Sequence, residues 1–160
     1  MVVGAVRLRP AAPADRGPVL RLTEQLASFE PPEWRTREMI AEGDKPGLTD
    51  HFDRRPGFDE ADLTVAVDGG GAVLGFVWTT ARTDFFTGER SAHLEVLVVD
   101  AAARGHGLGR RLLARAEEWA RETGAALLTL NAFPANTTAR GLYEADGFEV
   151  ELLRYAKPLG

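Results

Sequence analysis

The run Val98-Val99-Asp100-Ala101-Ala102-Ala103-Arg104-Gly105-His106-Gly107-Leu108-Gly109-Arg110 has the make-up of an anion site. An apolar strand ends in a glycine-rich turn that opens a helix. Unpaired N–H groups at a helix start, backed by the positive end of the helix dipole, hold phosphate without help from any side chain. Gly105, Gly107 and Gly109 let the backbone approach a ligand closely, and Arg104 and Arg110 add charge-assisted hydrogen bonds. A pyrophosphate fits such a cradle, although alternate glycines before a helix also occur in tight connections that bind nothing. Spacing excludes two nucleotide sites. A G-x-G-x-x-G fingerprint starting at Gly105 would need glycine where Arg110 stands, and no Lys-Ser or Lys-Thr follows to complete a P-loop.

Elements of two periods must position this turn. Residues 5–9 alternate and stop at Pro10, so they predict a first strand, and Asp15 can cap a helix reaching Ala27. The stretch from Ser28 to Gly57, interrupted by Pro31, Pro32, Pro46 and Pro56, predicts irregular chain with one or two short helices. Leu63–Val67 and Val73–Thr80 flank the turn residues Asp68-Gly69-Gly70-Gly71 and predict an antiparallel hairpin, followed by a strand over Ala92–Val99. Alternation along that strand puts His93, Glu95, Leu97 and Val99 on one face. Leu108, Leu112, Leu113, Ala116, Trp119 and Ala120 share one face of a helix over 107–123, which Gly124 ends. A strand over 126–132, a short helix over 136–145 stopped by Gly147, and a last strand over 148–156 complete the order. Helices alternating with strands after a hairpin imply a mixed sheet of the α/β or α+β class.

The spacing Arg104-x-x-Gly107-x-Gly109 resembles the coenzyme A loop of the GNAT family of N-acetyltransferases. Downstream, Asn131, Pro134, Asn136, Ala139, Leu142, Tyr143, Gly147 and Phe148 stand in the order and spacing of that family's closing segment. The resemblance is sharp from Ala92 to Phe148 and departs at Ala101, where a proline is common. It implies a GNAT-like acyl-CoA N-acyltransferase fold, with a mostly antiparallel sheet, a splayed parallel pair and helices on both faces. It also implies acetyl-CoA as co-substrate. The pantetheine arm would then add to the backbone of Leu97, Val98 and Val99, and the backbone of Arg104, Gly105, His106, Gly107, Leu108, Gly109 and Arg110 would cradle the pyrophosphate. Asn131 and Asn136 would belong to the cofactor site, though Asn136 equally suits the N-cap of its helix. Tyr143 would protonate the departing thiolate, a role that plain core packing rivals for an aromatic on a short helix. Glu95 would either accept the amine's proton through a water or only orient a cationic substrate, with His93 a weaker alternative base. An N–H near Leu97 would face the developing oxyanion.

Composition narrows the classes further. The length of 160 residues suits a single domain over 1–160, and 44% hydrophobic with 27% charged residues is an ordinary globular balance. No apolar run is long enough to span a membrane, and the first ten residues do not have the order of a secretory signal, so a cytoplasmic protein is expected. The absence of cysteine removes thiolate nucleophiles and cysteine-based zinc sites, and His51, His93 and His106 form no metal-binding spacing, so no metal is expected. A net charge of −5 argues against a nucleic-acid partner. The expected reaction is transfer of acetyl from acetyl-CoA to a primary amine of a small molecule or peptide. The alternatives are a coenzyme A binding domain without catalysis, acting as a regulatory or sensor module, and a phosphate-ligand domain outside that fold. Acceptor contacts are expected from Trp34, Phe85 and Phe86 as pocket walls, with Glu30, Glu33 and Asp84 attracting the amine. A homodimer is compatible with the chain, but no residue demands it.

Overall fold

The computed structural model describes residues 4–56 and 60–160; the expectations that touch Met1–Val3 and Gly57 lie outside these. Its elements are β1 (Arg7–Pro10), α1 (Arg16–Leu22), α2 (Arg37–Gly43), α3 (Lys45–Phe52), β2 (Ala61–Val67), β3 (Val73–Thr83), β4 (Arg90–Val99), α4 (Leu108–Glu122), β5 (Leu128–Leu130) and α5 (Thr137–Ala145). The strands lie in the order β1-β2-β3-β4-β5. Pairing is antiparallel from β1 to β4, and β5 runs parallel to β4. This is the expected mixed sheet with one parallel pair.

Both faces of the sheet are covered. On one, Val19 and Leu22 of α1 and Leu48 of α3 pack against Val65, Val67, Phe76, Trp78, Val96 and Val98. On the other, Leu108, Leu112, Leu113 and Ala116 of α4 and Tyr143 of α5 pack against Ala66, Val77 and Leu94. The apolar stripe read from α4 is the stripe that is buried, and each fully buried leucine contributes about 1.5–3 kcal/mol. The β2–β3 turn closes as its residues require, with the Asp68 carboxylate accepting from the amides of Gly70 and Ala72, both at 2.9 Å.

Some expectations need correction. The helix expected over 15–27 is only α1 followed by a 3-10 turn, because the buried Thr23 hydroxyl donates back to the Leu20 carbonyl at 2.7 Å and competes with the helical ladder. Asp15 does not cap it through its side chain; its carboxylate instead accepts from the Ala12 amide at 2.7 Å and pairs with Arg9 at 2.6 Å. Within 28–57 both short helices form, as α2 and α3. The last strand expected over 148–156 does not form, since no strand of the same chain lies beside it.

The expected common face of His93, Glu95, Leu97 and Val99 is also broken. Trp78 pairs with Val96 and Thr79 with Leu94, so Glu95 is an extra residue in β4 opposite no partner, a β-bulge. Val96 and Val98 therefore face α1 and α3, while Leu97 and Val99 face α4. Glu95 stays with His93: it accepts from Thr80, whose register partner is His93.

Candidate active site

The turn after β4 is built to leave amides free. Gly105 (φ 84°) and Gly107 (φ 75°) take left-handed conformations that L side chains adopt only with strain, and Gly107 is the N-cap of α4. The Arg111 amide donates to the Gly107 carbonyl at 3.2 Å, but the amides of Gly105, His106, Gly107, Leu108, Gly109 and Arg110 donate to no described residue. A Cβ at Gly105 or Gly107 would meet nothing within 4 Å, so the space above these amides is open. Gly109 differs, because a Cβ there would touch the Leu142 side chain of α5 at 3.4 Å, an ordinary packing distance. Arg104, Gly105, His106, Gly107 and Arg110 are exposed around this space. The Arg104 guanidinium donates to the Val99 carbonyl at 3.0 Å, and His106 Nδ1 lies 3.0 Å from the Arg104 carbonyl oxygen. An anion of pyrophosphate length fits such a row of donors.

The strand leading to the turn is open on one side. β5 pairs with β4 only at Ala92, His93 and Leu94, so from Glu95 to Val99 the β4 edge facing β5 has no strand beside it. The bulge at Glu95 begins where this pairing, and β5 itself, ends. The backbone of Leu97, Val98 and Val99 lies along the gap. Tyr143 stands on the α4 side, its ring centroid 5.9 Å from that of Phe148 and only 8% of its surface exposed. Its hydroxyl makes no hydrogen bond among the described residues, and burial raises its pKa, which keeps it a proton donor at neutral pH. A buried tyrosine normally pairs its hydroxyl, so an unpaired one marks a place for another group. Asn136 does cap α5, its Oδ1 accepting from the Ala139 amide at 3.3 Å, which leaves its Nδ2 free.

On the α1/α3 side the titratable groups gather around Glu95. One oxygen of Glu95 accepts from Thr80 Oγ1 at 2.6 Å and pairs with Arg82, while its side chain is 15% exposed. That oxygen is occupied by these two partners, and the other has no partner among the described residues. His93 is held by β5: Nδ1 lies 2.7 Å from Thr129 Oγ1 and Nε2 lies 3.5 Å from Asn131 Nδ2. If Asn131 donates to Nε2, the lone pair a base would need is engaged. Burial lowers the His93 pKa, against the pull of Glu95, so the ring is neutral at pH 7. Asn131 is thus a partner of His93 just past the end of β5.

A residue not singled out by its sequence joins this group. Asp44 starts α3, which packs on the sheet with Gly47 against the Trp78 ring; Trp78 pairs with Val96, the neighbour of Glu95. Burial, and then the charge of Glu95, raise the Asp44 carboxyl to about 6. Its signal was there to read, since Asp-Lys-Pro-Gly is a helix start with proline in the first turn. The structure does not bring the other acceptor candidates together. Glu30 pairs with Arg37 at 3.0 Å, and the Asp84 carboxylate is held by the amides of Thr87 and Phe86, which lower its pKa. Phe85 and Phe86 meet edge to face at the exposed β3–β4 tip, beyond Arg90 and roughly 17 Å along β4 from Glu95 at about 3.4 Å per residue. Trp34 is half exposed, and Glu33 lies on the surface. Instead, Phe29 meets Phe133, ring centroids 5.3 Å apart, and ties the segment after α1 to the segment after β5. Among the described residues there is no cluster of metal-ligating side chains, and no helix is long and apolar enough to cross a membrane.

Comparison with known proteins identifies the family and the fold. Residues 20–148 match the model of the Acetyltransferase (GNAT) family. A mycothiol acetyltransferase of Salinispora tropica is 32% identical over 88% of this chain, which spans 42% of that protein's length. Glucosamine 6-phosphate N-acetyltransferase 1 of Oryza sativa is 46% identical over 37% of this chain and 34% of its own. The chain thus spans less than half the length of these curated relatives. Among solved structures, the aminoglycoside N-acetyltransferase AAC(6')-Iy in complex with CoA superposes with a TM-score of 0.71 at 19% identity, covering 98% of this chain and 96% of the other. The free amide turn, the splayed parallel pair and the family match agree, and the chain belongs to the GNAT acetyltransferase family.

Proposed function

We propose that residues 1–160 act as one domain that transfers an acetyl group from acetyl-CoA directly to a primary amine of a small molecule. The observation that carries this reading is the row of unpaired amides from Gly105 to Arg110 at the end of a strand whose edge is free from Glu95 onward. The amides, with Arg104 and Arg110, would hold the pyrophosphate. The backbone of Leu97, Val98 and Val99 would hold the pantetheine arm, and Asn136 Nδ2 would add a donor at the start of α5. When bound, the coenzyme supplies a thioester, whose acyl carbon is the electrophile.

The chain's own side chains then divide the proton work. An amine arrives as an ammonium, and Asp44 and the free oxygen of Glu95 offer it two carboxylates on one side of the gap. Asp44, with its carboxyl raised to about 6, is the better matched acceptor of the proton at neutral pH. As the new C–N bond forms and the C–S bond breaks, the Tyr143 hydroxyl gives its proton to the sulfur. The nitrogen sheds a second proton on becoming an amide, and that proton would return Tyr143 to its neutral form, while the proton held by Asp44 would pass to solvent. Names among the relatives support the acceptor class: one is a glucosamine 6-phosphate N-acetyltransferase, and a structural neighbour is an aminoglycoside N-acetyltransferase. Acetyl-CoA as donor suits a cytoplasmic protein.

The experiment is thiol release from acetyl-CoA across a panel of amino sugars, polyamines and peptide N-termini, run beside thermal stabilisation by coenzyme A. Stabilisation with turnover on at least one amine is expected. Stabilisation with no turnover on any amine would leave a binding module, and no stabilisation would end both readings.

A further inference from the structure

The row of free amides starts at Gly105, and every amide just before it has an acceptor. Asp100 donates to the Leu74 carbonyl at 2.7 Å, Ala102 to the Asp100 carboxylate at 2.9 Å, Ala103 to the Asp100 carbonyl at 2.8 Å and Arg104 to the Ala101 carbonyl at 3.5 Å. These four bonds belong to the sheet or to the turn itself. The amide of Ala101 is different. It is the first of the 3-10 turn Ala101–Ala103, where an N–H has no partner within the turn. It donates to Gln25 Oε1 at 2.8 Å, across 76 residues of chain.

Gln25 is held between two fixed points. It ends the 3-10 turn Thr23–Gln25, which the buried Thr23 hydroxyl secures by donating to the Leu20 carbonyl. On its other side Ala27 is buried, and the Arg37 guanidinium of α2 donates to the Ala27 carbonyl at 2.7 Å and the Phe29 carbonyl at 2.5 Å. A 3-10 turn advances about 120° per residue where an α-helix advances about 100°, so the break after α1 changes where Gln25 points. The same segment reaches the chain after β5, through Phe29 on Phe133. Segment 25–29 therefore touches both sides of a gap whose strands do not pair beyond Leu94.

We infer that Gln25 is a positioning residue for the coenzyme: by holding the Ala101 amide it fixes the turn that aims the amides of Gly105 to Arg110. This rests on the pyrophosphate cradle assigned under the proposed function. Without the bond the turn samples other arrangements, and the apparent Kd rises by the inverse of the fraction that remains competent. One hydrogen bond between neutral groups biases such an equilibrium about three- to tenfold. Gln25 acts through Ala101 and not on the acyl carbon or the amine, so the loss falls on coenzyme binding rather than on chemistry.

In Gln25→Ala, calorimetry should show the Kd for coenzyme A raised about three- to tenfold, and kinetics the KM for acetyl-CoA raised alike. Values of kcat and of KM for the amine should stay within about twofold, and exchange at the Ala101 amide should quicken by at least about threefold. Adding Ala101→Pro should restore the affinity. Proline has no N–H to satisfy and suits the first position of a helical turn, and Asp100, at φ −50° and ψ 134°, already has the conformation required before it. If the wild type binds no coenzyme A, the cradle and this inference fall together. If it binds and Gln25→Ala binds as tightly, the inference alone falls. It also falls if Ala101 exchange is unchanged in Gln25→Ala, or if a folded Ala101→Pro double variant stays weak, which would mean that Gln25 acts elsewhere. Should the proline variant not fold, affinity and exchange in Gln25→Ala decide the matter by themselves.

Discussion

Replacing Asp44 with asparagine should make the protein more stable and the enzyme worse. Asp44 is the N-cap residue of α3 but its carboxylate makes no capping hydrogen bond, and asparagine is equally good at a helix start, so the change removes charge and little else. Burial and the nearby Glu95 raise this carboxyl from 3.8 to about 6. At about 1.4 kcal/mol per tenfold, keeping it ionised costs roughly 3 kcal/mol, which solvent screening at a half-buried site reduces to about 1–2 kcal/mol. The folded state binds this proton more tightly than the unfolded state, so the wild type loses stability as pH rises from 3.8 to about 6. Urea unfolding should therefore find Asp44→Asn more stable by about 1–2 kcal/mol near pH 7.5 and no different below about pH 4. Under the same conditions kcat/KM for the amine should fall at least about tenfold, with coenzyme A affinity unchanged. A gain in stability that does not vary with pH would refute the electrostatic reasoning. A gain with unchanged turnover would remove Asp44 from the acceptor site.

For Tyr143→Phe, kcat should fall at least about tenfold while calorimetry finds coenzyme A affinity nearly intact; equal kcat removes the hydroxyl from proton donation. Gly107→Val should weaken coenzyme A binding, since its side chain enters the open space above the amides, and should cost about 1–2 kcal/mol for the positive φ. Gly107→Asn, which tolerates that conformation better, should recover much of the stability, and undiminished affinity in the valine variant would misplace the cradle. Gly47→Ala puts a Cβ 2.6 Å from the Trp78 ring, so chemical denaturation should show a loss of about 1–3 kcal/mol and kinetics a raised KM for the amine; unchanged values would mean α3 does not depend on this contact.

The parts of the site made of backbone were the most legible. Glycine spacing and the α4 stripe predict a turn with free amides, and Gly105 and Gly107 take the left-handed conformations that spacing anticipates, because local sterics decide both. The acceptor side was less so. Glu95 was found, but its partners Arg82 and Thr80 lie on another strand, and the bulge that reverses the faces after it leaves no mark in a run that still alternates. Asp44 becomes chemically distinct only when α3 docks on Trp78 and buries it. Residues 148–156 have the composition of a strand, but composition cannot say whether a strand finds its partner within the same chain.

The central claim is that coenzyme A lies against the main-chain amides of Gly105 to Arg110. Amide-resolved hydrogen exchange, or NMR shift mapping, with and without coenzyme A tests it directly. Slowed exchange or large shifts at 105–110, joined by changes at Leu97 to Val99, is the predicted result; no response at saturating coenzyme, or a response centred elsewhere, would contradict it.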